Sequence, residues 1–209
     1  MSLATLKTKI EQLIDNRKYL NCLNEDYKDG LSRYFVPKNK TNWSSFWNGK
    51  LHGSPIIIES EAKPIDIGGA FANGTSLNTI VIDFETSQVR DYSGAFAGKG
   101  GRQTGFLEIQ GELDFTNCTA AVNCFNACNK LKEVRFKENS ISYSMWDLDF
   151  SATNDLSEAS LLSIANACIP TPDDVPDGKN GYIVFSAKTI ETMPDYIKNI
   201  FAEKRYELG

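Results

Sequence analysis

Apolar and polar residues alternate with helical spacing at the start of the chain. Apolar side chains recur there every three or four positions, at Leu3, Leu6, Ile10, Leu13 and Ile14. This spacing predicts an amphipathic helix over residues 3–15. Because so short a helix is marginal in water without burial, we expect it to dock on its own chain or on the same helix of a second copy.

A second helical pattern follows and stops before Pro37, because the residue before a proline is disfavoured in helical geometry. Its apolar positions are Leu20, Leu23, Tyr27, Leu31, Tyr34 and Phe35. Aromatic residues then fall on one side of a short turn, at Trp43, Phe46 and Trp47. Residues 1–55 are therefore predicted to form an N-terminal helical segment that acts as a cap or mediates oligomerisation.

From residue 56 onward, short β-type runs alternate with turns that resemble one another. The segments 69–73, 94–98 and 123–127 each surround a central phenylalanine with small or polar residues, at Phe71, Phe96 and Phe125. Recurrence of this kind is typical of repeat proteins, in which one unit cannot bury its hydrophobic face alone and neighbouring units bury it together. We therefore expect residues 56–209 to form one continuous array with a degenerate C-terminal repeat.

The recurrence sets a register for the strands. Positions 6, 9 and 11 after the central phenylalanine are hydrophobic in two units, at Leu77, Ile80 and Ile82 and at Leu131, Val134 and Phe136. In the middle unit Leu107 and Ile109 follow Phe96 by 11 and 13 positions, which predicts two extra residues in the loop 99–103. Alternation along each strand then places these hydrophobic residues inside, Leu107 included, and their neighbours outside.

The segment from Ile82 to Phe96, IDFETSQVRDYSGAF, resembles the repeat of the BspA-type leucine-rich repeats. The resemblance covers roughly residues 65–205, with departures at Gly74, Tyr92 and Ala95. It implies an α/β fold, a leucine-rich-repeat-like β/α solenoid, which the N-terminal helical segment would cap. The C-terminal pattern, residues 156–168 and 189–208, resembles leucine-rich proteins encoded in prophage tail regions, as does the amphipathic start of the chain.

Composition and charge exclude several classes of function. Net charge is -5 and the pI is near 5.0, whereas nucleic-acid binders usually carry a clustered basic face, so we expect no nucleic-acid partner. No apolar run approaches the length of a membrane span, and the N-terminus lacks the apolar core of a secretory signal. These features predict synthesis in the cytoplasm, and the phage resemblance would be compatible with incorporation into a virion.

The residues that most often carry chemistry are sparse. His52 is the only histidine and lies in a predicted loop without a nucleophile motif nearby. The cysteines are five in number and unevenly spaced, which favours free thiols that pack in the core over disulfides or a zinc site: Cys22, Cys118, Cys124, Cys128 and Cys168. The sequence therefore predicts no enzymatic activity and neither cofactor nor metal.

A repeat array offers a broad surface whose outward strand residues can vary without disturbing the core. The outward polar positions that we expect to bind a partner are Glu108, Gln110, Arg135 and Lys137. The partner would be a protein or a cell-surface glycan. The alternative is a structural component of a phage tail or fibre that oligomerises through the helix at residues 3–15, and the sequence does not decide between them.

Overall fold

A computed structural model places most of the chain after residue 31. The described residues are 32–36, 38–49, 51, 55–75, 78–98, 104–145, 147–175 and 180–209. The predicted helix at residues 3–15, most of the second helical pattern, and the residues His52, Leu77 and Cys22 lie outside them.

Two parallel sheets and three helices make up this part of the chain, so the predicted α/β class is confirmed. The first sheet has five strands in chain order: β1 (Ser32–Val36), β2 (Ile56–Ser60), β3 (Thr79–Asp83), β4 (Glu108–Leu113) and β5 (Glu133–Phe136). The second sheet contains β6 (Asp149–Phe150), β7 (Gly181–Phe185) and β8 (Tyr206–Leu208). The helices are α1 (Glu158–Ala167), α2 (Ala187–Thr192) and α3 (Asp195–Glu203).

Strand β1 corrects the predicted end of the second helix. Residues 32–36 are extended and pair in parallel with β2, from Ser32 opposite Ile56 to Val36 opposite Ser60. Tyr34 and Val36 are both buried, a spacing of two that suits a strand. Short apolar runs do not distinguish helix from strand by pattern alone, and here pairing with β2 decides. Strand β1, placed in the N-terminal segment by the sequence, therefore lies in the same sheet as the repeats.

The predicted strand register is confirmed for most positions. Ile56, Ile80 and Ile109 are partners across β2, β3 and β4, and all three are buried. Ile82, Val134 and Phe136 are buried as well, as are the three central phenylalanines of the turns. The inner face of the first sheet and the turns thus contribute to one hydrophobic core.

The middle unit departs from the prediction at Leu107, which is 36% exposed. Phe106 is fully buried in its place, three positions before Ile109, as Leu131 lies three positions before Val134. Since Ile109 pairs with Ile80, the loop after Phe96 has four more residues than the loop after Phe71, and not two. The longer insertion moves Leu107 to the outside.

A bulge in β4 adds two further residues. Glu108 pairs with Glu133, but the next pairs are Glu112 with Arg135 and Leu113 with Phe136. Gly111 adopts a φ of +99° within the bulge, and a Cβ there would lie 2.7 Å from the carbonyl oxygen of Ile82. Glycine is therefore required, and the bulge returns Leu113 to the core after Gln110 and Gly111 have passed outside.

The turns repeat their hydrogen bonding and backbone geometry. In three of them, a backbone N–H group donates to a backbone carbonyl oxygen in the next unit. These hydrogen bonds run from Trp43 to Asp66 (2.8 Å), from Ile67 to Asp91 (3.0 Å) and from Tyr92 to Ala120 (2.8 Å). Two positions further along, each turn has a residue with positive φ: Ser45, Gly69, Gly94 and Asn123. The same local conformation thus recurs in four successive turns.

Aromatic rings from successive units stack in the core, and we call this set the aromatic column. Adjacent centroids lie 5.6, 5.4, 5.6, 4.8 and 5.6 Å apart and adjacent planes meet at 25° or less, in the order Trp47, Phe71, Phe96, Phe125, Phe150 and Phe185. The first four rings come from turns, and the last two from β6 and β7. The aromatic column therefore joins the two sheets through a shared core.

Helix α1 covers the edge of the first sheet at β5. The backbone N–H groups of Val134 and Phe136 donate to the hydroxyls of Ser160 and Ser163, at 3.0 and 2.9 Å. These serines lie on one face of α1, three residues apart. Their hydroxyls also donate to the carbonyl oxygens of Lys132 and Phe136. The helix thus satisfies backbone groups that an open edge would leave exposed.

Lys204 closes the other end of α1. Its Nζ donates to the carbonyl oxygens of Ala165, Asn166 and Cys168 at 3.0, 2.9 and 2.7 Å. The last carbonyls of a helix have no partner within the helix and carry a partial negative charge. A cation at this position therefore ties the C-terminal end of α1 to the segment that follows α3.

Replacing Phe125 by alanine should destabilise the protein by about 3–5 kcal/mol, because the ring is fully buried between Phe96 and Phe150. Chemical denaturation followed by circular dichroism measures the change. The control is Val122→Ala in the same turn, where the side chain is 46% exposed, and its loss should stay below about 0.5 kcal/mol. A loss below about 1 kcal/mol for Phe125→Ala would contradict the stacked core.

Replacing Ser163 by alanine should cost about 1–3 kcal/mol, since the N–H of Phe136 would lose its acceptor at the sheet edge. The matched control is Ser151→Ala, an exposed serine outside the edge contact. Hydrogen exchange provides a local readout, because the Phe136 amide should exchange faster in Ser163→Ala and unchanged in the control. Unaltered protection of that amide would show that α1 does not close the edge.

Candidate functional site

The strands β2 to β5 present a second face opposite the core, which we call the outer face. Alternation places on it every second residue of each strand, since the intervening residues point inward. Its members are Ile57 and Glu59 of β2, Thr79, Val81 and Asp83 of β3, Glu108, Gln110 and Glu112 of β4, and Glu133 and Arg135 of β5. Polar and charged residues predominate there, so the outer face is the candidate interaction surface.

The structure brings three of the four predicted binding residues onto the outer face. Gln110 and Arg135 are exposed and Glu108 is half-buried. Gln110 pairs with Val81, and Arg135 pairs with Glu112 beyond the bulge. Their proposed role in binding stays a prediction, but their placement leaves them accessible.

The fourth residue, Lys137, is exposed but already engaged. It follows β5, and its Nζ forms an ion pair with Oδ2 of Asp114 at 2.7 Å. Burial alone would raise the pKa of Asp114, but hydrogen bonds from Lys137 and Thr116 hold it below its ordinary value. The hydrogen bond to Asp114 in turn raises the pKa of Lys137. The pair therefore joins the ends of β4 and β5, a role that differs from free ligand binding.

Asp114 was not predicted from the sequence. Its backbone N–H donates to Oγ1 of Thr86, and its carbonyl oxygen accepts from the hydroxyl of Tyr92, at 2.9 and 3.0 Å. These partners lie in the preceding unit, 28 and 22 residues away. The only local signal is the Asp-x-Thr turn, in which Oδ1 of Asp114 accepts from the N–H of Thr116.

A cleft of about 310 Å³ lies where the outer face meets α1. The sheet contributes Glu112, Arg135, Phe136 and Glu138, and the helix contributes Ala159, Leu162, Ser163 and Asn166. The helix residues are spaced as one face, so α1 forms a wall. Among the described residues the Arg135 guanidinium takes part in no ion pair, and its planar donors match a carboxylate in geometry. Sequence reasoning found Arg135 but missed the helix wall, because the contact is tertiary.

The described cysteines are free thiols. Burial raises the pKa of Cys118, Cys128 and Cys168 to about 12, and that of Cys124 well above its ordinary value. The backbone of Cys168 forms an isolated parallel bridge with Ile141 after α1, whereas Cys128 follows the turn phenylalanine Phe125. Within the described ranges no group of three or more His, Cys, Asp or Glu side chains could hold a metal ion.

None of the helices among the described residues has the length and apolar character needed to cross a membrane. Comparison of the chain with protein-family models, with curated proteins and with solved structures finds no match.

The buried thiols should resist alkylation in the native protein. With a pKa near 12, only on the order of one thiol in ten thousand is ionised at pH 8. Iodoacetamide treatment followed by site-resolved mass spectrometry should leave Cys124, Cys128 and Cys168 unmodified, while the same protein in guanidinium reacts at all three. Rapid native modification of any of them would contradict their burial.

Raised thiol pKa values also set the direction of a pH effect. The folded state favours the neutral thiol, so this contribution to stability is complete below the ordinary pKa of 9.0 and is lost as pH rises towards 12. The free energy of unfolding should therefore fall between these pH values. Cys128→Ala should lessen the slope, whereas a slope that is the same in both proteins would exclude this thiol as its source.

Proposed function

We propose that this chain is a leucine-rich-repeat-like solenoid of the BspA type, and that it acts as a non-enzymatic recognition module. Strands paired in chain order, a turn conformation that recurs four times and a stacked aromatic residue in each unit all support a repeat architecture. Such arrays bury their core between neighbouring units and leave one sheet face available. The partner binds to the outer face.

The separation of the outer face from the core carries the proposal. Gln110, Glu112 and Arg135 are exposed, and none of them belongs to the hydrophobic core. The adjoining cleft adds a concave region lined by Arg135, whose guanidinium takes part in no ion pair with any other described residue. Side chains that the fold does not use are free to define a partner.

A protein partner accounts for this surface better than a glycan. Charged groups dominate the outer face, and electrostatic complementarity gives protein interfaces their specificity and orientation. The large hydrophobic residues exposed among the described residues, Ile65, Leu107, Val122, Tyr182 and Tyr196, are not members of the outer face. Recognition would therefore depend on charge and hydrogen bonding.

Selection from a random peptide library displayed on phage tests the proposal. Peptides that bind the wild-type protein should lose affinity by about tenfold, or about 1.4 kcal/mol, for the double variant Gln110→Ala/Arg135→Ala. Stability should stay within about 0.5 kcal/mol, because both side chains are exposed. Affinities are measured by surface plasmon resonance with synthetic peptides.

The matched control is Gln88→Ala/Arg90→Ala, which removes the same two residue types from exposed positions outside the outer face. It should retain wild-type affinity. Recognition at the outer face would be contradicted if both variants lost the same affinity for the peptides, or if neither variant lost any. Binding on a glycan array that depends on Gln110 and Arg135 would instead assign the surface to carbohydrate.

A further inference from the structure

Carboxylates of like charge lie directly opposite each other on the outer face. Glu59 of β2 pairs with Asp83 of β3, and Glu108 of β4 pairs with Glu133 of β5. These strands are parallel and only about 4.8 Å apart, so carboxylates at paired positions on the same face repel each other. Two such pairs in one sheet are a local conflict that the fold itself does not require.

Cations of the chain do not neutralise these pairs within the described residues. Glu59, Asp83, Glu108 and Glu133 appear in no ion pair there, and the one side-chain hydrogen bond among them is donated by Ser160 to Glu133. Two of the described lysines are engaged elsewhere, Lys63 in an ion pair with Glu85 and Lys137 in an ion pair with Asp114. The negative charge is therefore left for solvent or for a partner.

The remaining charges on the outer face do not change its sign. Glu112 adds a fifth carboxylate, and Arg135, its cross-strand partner, is the one cation that β2 to β5 place on this face. Arg135 lies after the bulge in β4. The Glu108–Glu133 pair lies before the bulge, and the Glu59–Asp83 pair lies on the other two strands, β2 and β3. The outer face is consequently acidic along four strands.

The spread of the carboxylates distinguishes between kinds of cation. A metal ion needs several ligands at one point, but no cluster of three or more metal-binding side chains exists among the described residues. Pairs spaced across four strands instead match positive charges distributed along an extended chain. Phosphate-bearing partners such as nucleic acids would be repelled.

We propose that the partner recognised at the outer face is a polypeptide segment rich in lysine and arginine. Its cations bind between the carboxylates of each pair, which relieves the repulsion that the free protein retains. Proteins break local rules of this kind at functional sites, where the partner supplies the compensation. The inference rests on the proposed recognition function and specifies the chemistry of its partner.

Fluorescence anisotropy with two labelled peptides of twelve residues tests the inference, one alternating lysine with serine and the other alternating glutamate with serine. The lysine peptide should bind, and its affinity should fall as salt is raised. The variant Glu59→Gln/Glu108→Gln, which removes one carboxylate from each pair, should weaken binding by about tenfold. Its melting temperature should equal or exceed that of the wild type, because repulsion is removed.

The matched control is Glu191→Gln/Glu203→Gln, which makes the same change in net charge on the exposed surfaces of α2 and α3. It should bind the lysine peptide as the wild type does. Equal weakening of binding in both variants would overturn the inference, since overall charge would then explain binding. The inference would also be overturned if the wild-type protein bound the glutamate peptide with the same affinity as the lysine peptide. If the variant unfolds, Asp83→Asn/Glu133→Gln removes the other member of each pair.

The two proposals fail in different ways. Library peptides that depend on Gln110 and Arg135 but carry no excess of lysine or arginine would overturn the basic partner and leave recognition at the outer face standing. Both proposals would be overturned if library peptides bound the Gln110→Ala/Arg135→Ala variant as tightly as the wild type and the lysine peptide bound the Glu59→Gln/Glu108→Gln variant as tightly as the wild type.

Discussion

The rest of this structure depends on one constraint: the aromatic rings of successive units stack at a spacing close to the distance between neighbouring strands. Adjacent rings of the aromatic column lie 4.8–5.6 Å apart, and paired strands lie about 4.8 Å apart. A ring in each turn therefore advances in step with a strand in each unit. Because Phe125 stacks on Phe150, the same spacing carries the core from the first sheet into the second.

The β5 end of such an arrangement is chemically different from its middle. Inner strands satisfy their backbone groups with neighbours, but β5 has a helix on one side. Hydroxyls at Ser160 and Ser163 take the place of backbone partners, and Lys204 holds the far end of that helix. The helix that closes the sheet also walls the cleft beside Arg135, so edge protection and the candidate site arise from one element.

Local repetition explains what the sequence could and could not predict. The central phenylalanines and the inward isoleucines depend on spacing within one unit, and their burial follows from that spacing. Strand β1 was missed because a short apolar run is compatible with helix or strand. Leu107 was misplaced because the length of the loop before β4 is not encoded in the repeat itself. The helix wall of the cleft depends on contacts between residues far apart in sequence, which no periodicity reports.

The serine contacts at β5 also constrain how a protein of this design could change in length over evolution. Duplicating a unit between existing strands would preserve ring stacking and strand pairing at both new junctions. Adding a unit after β5 would displace Ser160 and Ser163 and leave α1 without its sheet edge. Growth of the array would therefore be tolerated in its interior and opposed at this terminus, so homologues of different length should share the α1 boundary and differ in the number of strands before it.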